Sequence, residues 1–140
     1  MNIYFAGSIR GGAADREHYL QLITFLKKYG TVLTEHVGDT NRSAHAEDAA
    51  SITAIYEQDM GWLKQADVVI AEVTSPSLGV GYEIATAENL GKPILCLYRP
   101  LPGTSLSAML RGSQKLKVKE YATLAEATDA IVEFLNTQKE

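Results

Sequence analysis

The sequence predicts a doubly wound, Rossmann-like α/β fold, with a five-stranded parallel sheet in a single domain spanning residues 1–140. Three observations carry that expectation. Apolar, strand-like runs alternate with helical periodicity along the whole chain. The run DVVIAE at residues 67–72 is too continuously apolar at its centre for a half-exposed strand, which suggests burial on both faces. The connections between strands are helix-length, and such connections form right-handed crossovers over a parallel sheet.

Each element follows in order. Residues 2–6 form a short apolar strand closed by the turn GSIRGG. Residues 15–29 read as a helix in which Tyr19, Leu22, Ile23 and Leu26 recur at helical spacing, with Gly30 as its stop. A second strand covers residues 31–34, and residues 38–46 are a polar loop. Residues 47–66 form a longer helix with Ile52, Ile55, Tyr56, Met60 and Leu63 on one face. The third strand, 67–72, leads through a loop at 74–78 to a helix at 80–90 that stops at Gly91. A fourth strand spans 93–98, and a Pro/Gly loop at 99–105 precedes a short helix near 106–111. An edge strand at 117–121 and a helix at 124–136 close the fold.

Composition narrows the function. A chain of 140 residues, 46% apolar and 21% charged, can bury a core without a disulfide or metal staple. The net charge of −4, with no run of Lys or Arg, argues against a polymeric nucleic acid partner. A single nucleotide needs only a local anion pocket and stays open. Cys96 is the one cysteine, and its apolar neighbours make it a buried small hydrophobe. His36 and His45 stand apart from any Cys/His cluster, so neither a metal nor a cofactor is expected. No signal peptide, transit segment or membrane span is expected, which makes a cytoplasmic location the default and leaves nuclear entry open.

In doubly wound folds, ligands bind beyond the carboxyl ends of the strands. Three segments fall there. The first is Gly7, Ser8, Ile9, Arg10, Gly11 and Gly12. A turn would explain its glycines alone. Ser8 and the bidentate guanidinium of Arg10 add a preference for phosphate or ribose. The second segment, residues 75–83, carries Ser77, Gly79 and Glu83. An isolated Glu in the first turn of a helix is ordinarily a capping residue stabilised by the dipole. Flanking glycines and a position past a buried strand make Glu83 a candidate catalytic carboxylate instead. The third segment, Ser107, Ala108 and Met109, reads locally as the start of a short helix with Ser105 or Ser107 near its N-cap. Asp59 adds a carboxylate at the edge of the long helix's apolar face, either solvated or turned to a nucleotide base.

Taken together, YFAGSIRGG (4–12), GTVLTEHV (30–37), EQDMGWLKQADVVIAEV (57–73), PSLGVGYE (76–83), ILCLYRP (94–100) and LSAMLRG (106–112) resemble the 2′-deoxynucleoside 5′-phosphate N-hydrolases. These are relatives of the nucleoside 2-deoxyribosyltransferases. The resemblance implies a homodimer acting on deoxynucleoside 5′-monophosphates. It implies that Glu83 is the nucleophile, that Tyr4 orients it, and that Asp59 acts on the base side, with His36 near the base. It assigns phosphate to the GSIRGG loop, to Ser77, and to Ser107 donated from the other subunit. In the deoxyribosyltransferases an Asp stands at the position of Ser77, six residues before the nucleophile. An Asp there would repel a phosphate by about 4 kcal/mol per unit-charge pair at 4 Å and an effective dielectric of 20. A serine donates a hydrogen bond. Base exchange and hydrolysis of ribonucleotides such as CMP are the alternatives, and a nucleotide sensor without turnover is the rival from another class.

Overall fold

A computed structural model describes residues 1–8, 13–34 and 48–139. The elements are β1 (Asn2–Ala6), α1 (Ala13–Leu26), β2 (Thr31–Val32), α2 (Ala49–Gln65), β3 (Val68–Glu72), α3 (Leu78–Asn89), β4 (Ile94–Tyr98), α4 (Ala108–Arg111), β5 (Lys117–Glu120) and α5 (Leu124–Thr137). The five strands form one sheet in the order β2-β1-β3-β4-β5. Every neighbouring pair is parallel. The fold is therefore the expected doubly wound one, and its order reverses between β1 and β3, where such folds open a crevice.

The alternation of side chains along each strand decides which helix covers which face. Ile3 and Phe5 of β1, Val68 and Ile70 of β3, and Leu95 and Leu97 of β4 pack against α1 and α5. Tyr4 and Ala6, Val69 and Ala71, and Ile94 and Cys96 face the other way, against Leu63 of α2 and Val80, Ile84 and Ala87 of α3. All five β3 residues are buried, as a strand covered on both faces requires. Burial also pushes the Cys96 thiol up to about 12, which makes it a packing residue and not a nucleophile.

The boundaries differ from the sequence expectation in instructive ways. β2 is two residues long: Leu33 N still donates to Ile3 O at 2.9 Å, and one residue further a side chain replaces the ladder, the Thr34 hydroxyl accepting from Phe5 N at 2.7 Å and donating to Phe5 O at 2.6 Å. α1 ends at Leu26, where Lys28 and Tyr29 donate to carbonyls three residues back and tighten the final turn. Gly30 is needed for a steric reason, since an added Cβ would lie 2.2 Å from the Met1 carbonyl oxygen. α2 is capped by Asp48, whose carboxylate accepts from Ser51 N at 2.8 Å and is held below the usual carboxylate range by that bond. Of the five apolar residues expected on one face of α2, only Leu63 is buried, while Ile52 and Tyr56 are about half exposed. Length explains this. Seventeen helical residues span about 26 Å, against about 17 Å for a five-residue strand. A crossover helix starts at the carboxyl end of the sheet, so the first turns of α2 overhang the edge where ligands bind.

Candidate active site

Tyr4 lies in the middle of β1, and strand parity turns it to the α2/α3 face, where it is fully buried. Its hydroxyl donates to Glu83 Oε2 on α3. Glu83 is half-buried. It sits two residues deeper in its helix than expected, in the second turn and not the first. Ser77 caps α3, its Oγ accepting from Val80 N at 3.2 Å, so the helix starts at Leu78. Because the dipole effect fades within the first turn, Tyr4 and not the helix terminus is the group that addresses this carboxylate.

Asp59 is half-buried on α2. It lies one turn beyond Tyr56, and Tyr56 meets Tyr82, the neighbour of Glu83, with ring centroids 6.2 Å apart and hydroxyls 3.4 Å apart. The contact brings the helix bearing Asp59 against the helix bearing Glu83. Gly7 and Ser8 follow β1 directly. A Cβ on Gly7 would come within 3.0 Å of the Tyr19 ring, and Ser8 N donates to the Tyr19 hydroxyl at 3.1 Å. Burial, with help from Asp15 and Glu72, raises the Tyr19 pKa and keeps the phenol protonated. Ile9, Arg10, Gly11, Gly12 and His36 lie outside the described residues.

A cleft of about 1160 Å³ lies between α3 and the segment leading into α4, and Ser77 and Ser107 both line it. Ser107 caps α4, its Oγ accepting from Met109 N at 3.2 Å, while buried Leu106 anchors the segment. Ala108 and Met109 are exposed. On α3 the cleft is lined by Gly81, Ala85 and Glu88. At 100° per residue, Gly81 and Ala85 point away from Glu83. Glu83 is not among the residues that line this cleft, which Ser107 shares with Ser77 and with Val80 and Ile84 of α3.

Glu72, the last residue of β3, lies outside the three segments expected to carry the site. It is 2% exposed and accepts hydrogen bonds from Thr74 and Tyr121. A signal was present in the sequence: an acid closing a run of residues buried on both faces must find partners or stay neutral.

The family model described as nucleoside 2-deoxyribosyltransferase matches residues 3–120. The chain belongs to the nucleoside 2-deoxyribosyltransferase family. Within this family it is similar to the 5-hydroxymethyl-dUMP N-hydrolase of Rattus norvegicus, with 54% identity over 125 residues, covering 86% of this chain and 77% of the relative. The protein of the same name from Tetraodon nigroviridis is 44% identical over 147 residues, covering 99% of this chain and all of the relative (100%). The solved structure of the CMP N-glycosidase of Clostridium botulinum superposes with a TM-score of 0.68 at 21% identity, over 94% of this chain and 99% of that one. At that identity the likeness speaks to the fold of this nucleoside 2-deoxyribosyltransferase family member alone.

Proposed function

We propose that this chain hydrolyses the N-glycosidic bond of 2′-deoxynucleoside 5′-monophosphates, with Glu83 as nucleophile. The observation that carries the reading is the hydrogen bond from buried Tyr4 of β1 to half-buried Glu83 of α3. The relatives named 5-hydroxymethyl-dUMP N-hydrolase supply the reaction class and make that modified nucleotide the first substrate to test.

The chemistry follows from the side chains. As the C1′–N bond breaks, positive charge grows on C1′ and the ring oxygen, and a carboxylate beneath C1′ stabilises it. A Glu83 oxygen forms a bond to C1′ while the departing base takes the bonding pair. Tyr4 holds the carboxylate in its attacking rotamer. Asp59 assists protonation of the leaving base, directly or through water. Water then adds to C1′, loses its proton toward Asp59, and releases Glu83. The balance is one nucleotide and one water giving free base and 2-deoxyribose 5-phosphate. The absent 2′-hydroxyl eases this, because no electron-withdrawing group adjoins the cationic centre.

Ser77 and the first amides of the twelve-residue helix α3 are the proposed phosphate contacts, together with Gly7, Ser8 and Gly79. Ile9, Arg10, Gly11, Gly12 and His36 keep the roles that the resemblance implies. A homodimer completes the pocket, with a partner's Ser107, flanked by Ala108 and Met109, reaching toward the phosphate. Two facts support this: the chain's own Ser107 lines a cleft that Glu83 does not line, and Leu78 and Met109, which line it too, are 96% and 82% exposed. Sedimentation should give twice the 15.3 kDa chain mass, and Ser107→Ala should raise KM more than it lowers kcat. A nucleoside monophosphate substrate agrees with a cytoplasmic or nuclear setting.

The deciding experiment is a panel of 5-hydroxymethyl-dUMP, dGMP, dCMP, GMP and CMP, read out as free base and sugar phosphate. A second free base is included, since the family's name is that of a transferase. Hydrolysis of the deoxynucleotides is expected. Exchanged nucleotide as the dominant product would overturn the reading.

A further inference from the structure

On the α1/α5 face of the sheet, opposite Glu83, a second carboxylate closes β3 at the sheet's carboxyl edge. Glu72 Oε1 accepts from Thr74 N at 2.7 Å, and Oε2 accepts from the Thr74 hydroxyl at 2.9 Å and from the Tyr121 hydroxyl. Thr74 Oγ1 also accepts from Arg99 N at 3.0 Å, which ties β4 to the same point. Tyr121 stacks on His18 with ring centroids 5.6 Å apart and planes 10° apart, and its oxygen meets His18 Nε2. A phenol has one proton. Because Tyr121 gives that proton to Glu72, it accepts from His18, which sets His18 as the Nε2–H tautomer. One residue further along the loop, the Ser75 hydroxyl donates to Asp15 Oδ2 of α1 at 2.7 Å.

Four of these bonds end on Thr74 and Ser75, immediately before Pro76 and the α3 cap Ser77, and the Tyr121 and His18 contacts hold the Glu72 carboxylate that anchors Thr74. Proline limits φ, so little play remains between the anchored Thr74 and Ser77. We infer that Glu72 is a positioning residue that fixes the phosphate-binding cap of α3 by clamping Thr74. The inference rests on the proposal that the 5′-phosphate lies at Ser77. The clamp acts through substrate affinity, since Glu72 is on the opposite face of the sheet from Glu83 and touches no reacting atom. Glu72→Gln keeps the volume but replaces an acceptor oxygen by an NH2 that faces donors, which disorders the clamp without emptying the site.

The test measures kcat and KM for 5-hydroxymethyl-dUMP in Glu72→Gln, Thr74→Val and Ser77→Ala, with the inhibition constant of the matching phosphate-free deoxynucleoside. Circular dichroism confirms that each variant is folded. Thr74→Val keeps the shape of Thr74 and removes only its hydroxyl, so it carries the test if Glu72→Gln fails to fold. The expected result is a rise in KM of roughly tenfold in the clamp variants, with kcat within about twofold, from the loss of one or two hydrogen bonds. The inhibition constant of the phosphate-free nucleoside should not move. Equal losses for nucleotide and nucleoside, or a fall confined to kcat, would mean a general structural role and overturn the inference. If Ser77→Ala raises KM and the clamp variants do not, the Glu72 inference falls alone. If none of the three raises KM, the phosphate assignment falls with it.

Discussion

Two tyrosine–glutamate hydrogen bonds stand back to back across this sheet. Tyr4 donates to Glu83 on the α2/α3 face, and Tyr121 donates to Glu72 on the α1/α5 face. The residue types match, yet the settings differ. Glu83 is half-buried on a helix near the half-exposed Tyr82. Glu72 is 2% exposed on a strand, with donors on both oxygens. A nucleophile has to be held and still reach a substrate, whereas a brace works best when every lone pair that faces a donor is used. A Tyr–Glu pair is therefore not by itself a catalytic signature. On the proposed assignment, access to the carboxylate separates the two roles.

Substitutions can break that comparison. The largest effect is expected from Glu83→Gln, which should lower base release by roughly a thousandfold or more, as loss of a nucleophile does. Nucleotide binding, measured by calorimetry, should survive. Turnover at the wild-type rate would remove Glu83 from its proposed role. Removal of the two phenol hydroxyls sharpens the contrast. Tyr4→Phe should reduce kcat by roughly tenfold to a hundredfold, the worth of a hydrogen bond to a charged group, and leave KM close to its original value. Tyr121→Phe should leave kcat in place and cost about 1–3 kcal/mol of stability, because it withdraws a donor from a buried carboxylate. Chemical denaturation measures the second effect, and the reverse pattern would invert the two assignments.

The smallest effect concerns pH. Burial lowers the pKa of His18 below its ordinary 6.5, and Arg99 pushes it the same way against Glu72 and Asp15. The unfolded chain therefore binds the His18 proton more readily than the folded one. The contribution of neutral His18 is fully present above about pH 6.5 and is lost as the pH falls through its lower folded value. Melting temperatures between pH 7.5 and 5 should decline by less in His18→Gln than in the parent. The partial exposure of His18 keeps this difference small.

Much of the site was legible because its elements are short-range signals. The DVVIAE run announced a buried strand, and GVGYE behind a glycine-flanked loop announced a helix with a carboxylate beyond that strand's end. The sequence pattern starts this helix at residue 80, whereas Ser77 accepts from the Val80 amide and the helix starts at Leu78, which sets Glu83 two residues deeper. Residues 31–34 read as strand, yet at Thr34 a side-chain hydroxyl replaces the backbone ladder. The periodicity of residues 52–63 marked a helix correctly, but it overstated burial, because periodicity does not record where the sheet ends.

The sequence by itself determined the doubly wound class, the family and the candidates Tyr4, Glu83, Asp59 and Ser77, because period-2 and period-3.6 patterns and local motifs are properties of neighbouring residues. Only the tertiary structure decided that Tyr4 meets Glu83, 79 positions away, and that Tyr121 meets Glu72, 49 positions away. It also decided that Ser107 and Ser77 line one cleft, 30 positions apart in sequence, and that Glu83 does not line it. Those outcomes depend on strand order and on which face of the sheet each crossover helix covers, and no local pattern encodes the side on which distant residues are brought together.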